Sequence, residues 1–206
     1  MTRTKLKFAV AGFLLLAAIF FFVRGWFVAV PTLYAAIIAA TASRTGGVAI
    51  PMALLSSAAG DYAGSTGNFI MQVAFFAVAH ICYICDFAPR RTASRSRKVG
   101  AVALAVVALC YLGIVLAHVE LRSEFVAVAI YGLIIYMMGA SAIYQSRVRY
   151  AWYVVAALLF ILSDSLIVCG KYIVTVPNGT LWIMLTYYAA QGLFMTLHAM
   201  RHTPTE

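Results

Sequence analysis

Apolar residues along this chain neither alternate nor recur at helical spacing against a polar background. They come in near-continuous runs, most of them close to twenty residues long, broken by short clusters of Arg, Lys, Gly and Pro. The runs predict eight helices, at 7–23, 26–42, 47–63, 69–88, 99–118, 125–145, 150–171 and 180–200. Twenty helical residues at about 1.5 Å each cross a hydrocarbon layer about 30 Å thick. Only helices and closed barrels satisfy the backbone inside lipid, and these runs lack the period-two pattern of barrel strands. Pro31 and Pro51 fall early in the second and third runs, where a missing N–H costs least, and "VPNGT" at 176–180 reads as a turn. The expected fold is all-α: a polytopic membrane bundle of eight transmembrane helices, forming one integral membrane domain over residues 1–206.

Composition sharpens this picture. Of 206 residues, 65% are hydrophobic and 10% charged, whereas a soluble domain carries about 25% charged residues. No soluble domain fits between the runs. The first run, "FAVAGFLLLAAIFFF", follows Lys5 and Lys7 in the manner of a signal peptide. It has no small-x-small cleavage pattern before Arg24, so it reads as a retained helix. The four cysteines, Cys82, Cys85, Cys110 and Cys169, all lie within apolar runs. They suggest buried small hydrophobes rather than a disulfide framework or a metal site.

The net charge of +9 does not signal nucleic acid, because the basic residues sit in short loops. Arg3, Lys5, Lys7, Arg44, Arg90, Arg91, Arg95, Arg97, Lys98, Arg147, Arg149 and Arg201 fall on one side of an eight-helix topology. Arg24, Arg122 and Lys171 fall on the other, a ratio of 12 to 3. The positive-inside rule then places both termini in the cytoplasm and requires an even number of spans. The expected location is the bacterial inner membrane. No internal repeat is visible, so the inverted halves of many secondary transporters are not evident.

The chain has only six acidic residues. Glu120, Glu124 and Glu206 lie in a loop and at the chain end, and Asp86 reads as an interfacial ion pair with Arg90 and Arg91. Asp61, in "SSAAGDYAG", and Asp164, in "LLFILSDSL", remain inside spans. A carboxylate there costs at least ~2.5–3.5 kcal/mol on insertion scales, so it usually faces protein or a wet cavity and marks a functional site. Asp164 precedes Lys171 by seven residues, about 10 Å of helix, so both aspartates are expected in the half of the membrane away from the cytoplasm. Other polar residues fall on helical stripes: Gln72, Phe76, His80 and Tyr83; Phe160, Asp164, Ile167 and Lys171; Tyr187, Tyr188, Gln191, Met195 and His198. Tyr136 and Tyr144 add to the sixth helix. Such residues also serve as plain helix-to-helix hydrogen bonds.

No Ser–His–Asp spacing, phosphate loop or zinc motif appears, and His80, His118 and His198 lie on separate helices. Neither a metal nor a cofactor is expected. Two carboxylates in a low-dielectric cavity divide into one protonated and one ionised group. That pair suits reactions passing through an oxocarbenium-like ion, such as glycoside or vinyl-ether cleavage. Two other classes are compatible with the same residues: a proton- or cation-coupled transporter or channel, and a non-catalytic lipid-binding membrane protein.

The ordered set of "GD" at Gly60–Asp61, "AHICY" with His80 and Tyr83, "YMMGASA" from Tyr136, "LLFILSDSL" and "YYAAQ" resembles the YhhN or lysoplasmalogenase family of eight-helix membrane proteins. The likeness covers the third to eighth helices. It implies hydrolysis of the vinyl-ether bond of lysoplasmalogens, lysophospholipids resident among membrane lipids, to a fatty aldehyde and glycerophospho-choline or -ethanolamine. It implies Asp61 and Asp164 as the catalytic pair, with Asp164, deeper in its helix, favoured as the proton donor. His80, Tyr83, Tyr136, Ser163, Ser165, Lys171, Tyr187, Tyr188 and Gln191 are the expected substrate-binding residues. Val30–Pro31 stands where family members often carry Lys-Pro, and "YAG" follows the "GD". Both departures bear on head-group preference, for which Lys171 is the alternative phosphate contact.

Overall fold

A computed structural model of the chain describes residues 1–43, 47–89 and 91–201. Arg44, Arg90 and Glu206, which entered the charge analysis, lie outside them. The described residues form eight α-helices and a 3₁₀ turn. They are α1 (Arg3–Val23), the turn Gly25–Val28, α2 (Ala29–Ala42), α3 (Ala49–Ser65), α4 (Phe69–Phe87), α5 (Arg95–Leu116), α6 (Arg122–Tyr144), α7 (Tyr150–Tyr172) and α8 (Gly179–Arg201). Each corresponds to one predicted run. The largest differences are at the starts of α1 and α5, which begin four residues earlier than expected. There Thr2 accepts from the Lys5 N–H and Ser94 from the Arg97 N–H, so polar caps carry the helix out through its basic flank. The second run loses its first turn to the 3₁₀ segment, which begins at Gly25 directly after Arg24, both in left-handed φ.

Among the described residues, six segments are long and apolar enough to cross a membrane: α1, Gly25–Ala42, α4, α5, α6 and α7. The other two are α3, of 17 residues, and α8. Both are diluted by polar residues, Ser56, Ser57 and Asp61 in the first and Thr186, Gln191 and His198 in the second. The outward faces suit hydrocarbon. α5 buries only Ala101 and Val115 and turns Val106, Val107 and Leu109 outward. This is an all-helical polytopic membrane bundle.

The chain forms two compact units, Met1–Asp86 with Gln191–Glu206, and Phe87–Ala190. In the first, α2 packs on both α1 and α3. α4 reaches α3 at Gly60 and Gly64, one turn apart: a Cβ at Gly60 would lie 2.7 Å from the Phe76 ring, and one at Gly64 2.6 Å from the Gln72 side chain. Small residues four apart let two membrane helices approach closely. Gly192 of α8 gives the same clearance to Phe13 of α1. In the second unit, α6 packs between α5 and α7. Arg97 of α5 donates to the Ile143 and Gln145 carbonyls that end α6, and its guanidinium lies 4.4 Å over the Tyr150 ring. One arginine thus satisfies orphan carbonyls of a helix terminus and stacks on the start of the next helix.

These contacts separate two glycines of one motif. Gly60→Ala drives a methyl into an aromatic ring and should cost ~1–3 kcal/mol of stability, the usual range for overpacking. Gly64→Ala meets only the end of a flexible glutamine and should cost well under half as much. Thermal unfolding of both variants in detergent checks the ranking.

Candidate active site

In the first unit, Asp61 lies on the protein-facing side of α3, only 5% exposed, while its neighbour Tyr62 is 58% exposed. Ser57, one turn earlier, is fully buried. On α4 the predicted stripe is real: Phe76, His80 and Tyr83 are all buried and Gln72 is half-buried. Tyr83 donates to Gln191 Oε1 at 2.8 Å and stacks on Phe194 with centroids 4.2 Å apart. The His80 and Tyr83 rings are 6.5 Å apart. His80, Tyr83 and Gln191, chosen from helices four and eight, therefore belong to one buried polar cluster. An apolar groove of about 590 Å³ in the same unit, lined by Trp26, Leu33, Met52, Leu55, Tyr62 and Val78 among others, opens on the outer side of α3. Its Ser56 hydroxyl is taken by the Phe75 carbonyl at 2.7 Å, so its lining suits lipid rather than polar chemistry.

A second feature of this unit was not legible in sequence. Ser43, His198, Arg201 and Asp86 form a chain, with Ser43 Oγ 2.8 Å from His198 Nε2, Arg201 Nη2 2.9 Å from His198 Nδ1, and Arg201 Nη1 3.2 Å from Asp86 Oδ1. It has the residue types of a serine-hydrolase triad, but the protons run the wrong way. A guanidinium only donates, so His198 Nδ1 must hold the lone pair and Nε2 the proton. Nε2–H then donates to Ser43, whose hydroxyl donates onward to the Ala39 or Gly47 carbonyl at 3.0 and 3.2 Å. His198 cannot act as base toward Ser43 in this tautomer. The chain is a polar tie among the ends of α2, α4 and α8, and Asp86 finds Arg201 through it.

In the second unit, Asp164 is 4% exposed on α7. Its Oδ2 accepts a short hydrogen bond from the Tyr131 hydroxyl of α6, itself buried. Phe160, one turn before Asp164, meets Tyr187 edge-on with centroids 5.4 Å apart, and Tyr187 touches Tyr188 at 5.6 Å. Tyr187 and Tyr188 are both buried. Of the two serines flanking Asp164, Ser163 donates to the Ile183 carbonyl of α8 at 3.2 Å, and Ser165 offers its own carbonyl to Tyr111 at 2.5 Å. Both interactions tie helices together. Lys171 pairs with Glu124 at 3.2 Å, and Tyr172 donates to the other oxygen of that carboxylate at 2.8 Å. The lysine expected to meet phosphate is thus engaged within the protein, in an exposed ion pair of small energetic weight.

Tyr136, selected from the "YMMGASA" stretch, is half-buried and lies about 140° around α6 from Tyr131 at 3.6 residues per turn. Tyr131 was missed because it belongs to no motif. A signal did exist. α6 and α7 form a hairpin in which Tyr131 precedes the last residue of α6 by thirteen, and Asp164 follows the first residue of α7 by fourteen. Equal distance from the turn puts them at one level. Among the described residues no group of three His, Cys, Asp or Glu side chains stands ready for a metal. The chemistry on offer is therefore that of carboxyl, phenol, imidazole and amide groups in apolar surroundings.

An all-helical membrane protein with buried carboxylates on two short-loop helices defines the class. Residues 22–197 match the family model described as YhhN, and the chain belongs to the YhhN family. It is 36% identical over 151 residues to lysoplasmalogenase TMEM86B of Homo sapiens, covering 72% of this chain and 62% of that protein. It is 33% identical over 148 residues to lysoplasmalogenase TMEM86A of Homo sapiens, covering 68% and 59%. Against a lysoplasmalogenase of Mycobacterium bovis it is 30% identical over 148 residues, covering 68% and 56%. The chain spans about three fifths of the length of these curated relatives. No solved structure matches it.

The proton order around Ser43 has a direct check. A fluorophosphonate probe, which labels serines activated by a histidine base, should leave the purified protein unlabelled. Labelling lost in Ser43→Ala would contradict the tautomer assigned here.

Proposed function

We propose that this protein hydrolyses the vinyl-ether bond of lysoplasmalogens, releasing a fatty aldehyde and a glycerophospho-choline or -ethanolamine. The observation that carries this reading is the burial of Asp61 and Asp164 in otherwise apolar helices, in a chain similar to proteins named lysoplasmalogenases. The protein acts in the bacterial inner membrane, with both termini cytoplasmic, as the loop charges favour. A single-chain lipid already dissolved in the bilayer is the substrate such a protein meets without extracting it into water.

The chemistry needs two groups. A carboxyl proton goes to the β-carbon of the vinyl ether, and the electron pair of the C=C bond forms the new C–H bond, leaving an oxocarbenium ion. A carboxylate stabilises that cation and takes a proton from the water that adds to it. The resulting hemiacetal returns one proton to its ether oxygen, loses one from its hydroxyl, and separates into aldehyde and alcohol. The sum is substrate plus one water, with both carboxyl groups restored. Asp61 and Asp164 fill these two roles. His80, Tyr83, Tyr187, Tyr188 and Gln191 are the residues proposed to bind substrate and orient its glycerol and ether oxygens. Tyr136, Ser163, Ser165 and Lys171 complete the proposed substrate-binding set, and Ser163, Ser165 and Lys171 also tie helices together.

Purified protein in detergent, given lysoplasmalogen, ordinary lysophospholipid and plasmalogen, should release aldehyde from the first alone. Asp61→Asn and Asp164→Asn should each lower kcat by about 10²–10⁴-fold, the span of general acid–base catalysis, while remaining folded. Absence of aldehyde from the native protein, or equal rates in Asp164→Asn, would contradict the proposal.

A further inference from the structure

Within the second unit, one contact assigns a role that the sequence left open. We propose that Tyr131 is a positioning residue that fixes Asp164 as a hydrogen-bond-accepting carboxylate. In the hydrolysis proposed above, on which this inference rests, Asp164 then stabilises the cation and receives the proton of water, and Asp61 delivers the proton to carbon. This is the reverse of the order expected from helix depth alone.

The argument begins with the donor. The Tyr131 hydroxyl gives its proton to Asp164 Oδ2, and both groups are at least nine-tenths buried. A phenol is a good donor and a poor acceptor, and an O–H···O⁻ bond is about twice as strong as one between neutral groups. Burial raises the stakes, because a low dielectric strengthens a satisfied polar pair and penalises an unsatisfied one. Because that hydrogen bond is strongest to a charged acceptor, a fixed phenol beside Asp164 suits it to the task of the carboxylate rather than that of the acid.

The neighbours fix the pair rigidly. α6 and α7 are joined by a short turn, so Tyr131 and Asp164 cannot drift in level without dismantling the hairpin. At its far end the same two helices are tied again, where Glu124 of α6 holds Lys171 and Tyr172 of α7. Behind Asp164, Tyr111 of α5 donates to the Ser165 carbonyl and Ser163 donates to α8. α7 is thus held on both sides of Asp164 from α5 and α8, while Tyr131 of α6 orients the carboxylate itself. Such support is what a group acting by electrostatic stabilisation requires, since its value lies in being oriented before charge develops.

Tyr131→Phe removes one oxygen and keeps the ring. It should lower kcat on lysoplasmalogen about 10- to 100-fold, the worth of a hydrogen bond to a charged group, with KM changed less than about twofold. The acid limb of its pH–rate profile should move, and that of Tyr144→Phe, at the end of the same helix, should not. Native kcat and an unmoved profile in Tyr131→Phe would overturn the assignment. Infrared difference spectra of protein with ¹³C-labelled aspartate test it without turnover. The native protein should show a carboxylate band that vanishes in Asp164→Asn and shifts in Tyr131→Phe; a protonated-carboxyl band for Asp164 would overturn the assignment. Should Tyr131→Phe fail to insert, 3-fluorotyrosine incorporated into the intact chain must shift the same band. If the native protein releases no aldehyde yet shows these bands, it is the hydrolase reading that fails and the Tyr131–Asp164 pairing that stands.

Discussion

Hydrocarbon cannot solvate a charge or an unpaired backbone group, and that constraint shapes every part of this molecule. It fixes the helices, since each must satisfy its own backbone, and it selects the large apolar side chains on their outer faces. It also makes two aspartates conspicuous. Each costs at least ~2.5–3.5 kcal/mol to insert, so each must be enclosed by protein. Asp61 and Asp164 are enclosed, each in its own unit.

Polarity is concentrated where the chain can bear it. The two helices outside the six segments long and apolar enough to cross a membrane, α3 and α8, carry Asp61, Ser57, Gln191 and His198 on buried positions. α5, which carries no candidate site residue, buries almost nothing and meets lipid on most of its circumference.

Much of this was legible from residues alone because the hydrophobic period, the loop charges and the cost of a carboxylate all act locally. The eight helices, the buried stripe of Phe76, His80 and Tyr83, and the burial of both aspartates follow from those signals. Helix starts were less legible, since Thr2 and Ser94 cap helices beyond the last apolar residue. Pairings across helices were the least legible. Tyr131 and Tyr136 are both tyrosines of α6, and only the level of the α6–α7 hairpin distinguishes the one that reaches Asp164. Lys171 looked like a head-group ligand because Glu124 is forty-seven residues distant in sequence and one hydrogen bond distant in space. Likewise Ser43 and His198 carry no motif, and the direction of their hydrogen bond depends on Arg201, which sequence gives no reason to consult.

The most direct measurement is the fate of solvent hydrogen at carbon. Turnover of lysoplasmalogen in D₂O, with the aldehyde reduced at once to its alcohol, reports where the proton was delivered and from which side. Delivery by an enclosed carboxyl group predicts one deuterium at the former β-carbon, in a single configuration. Deuterium absent from that carbon, or divided equally between both configurations, would contradict it.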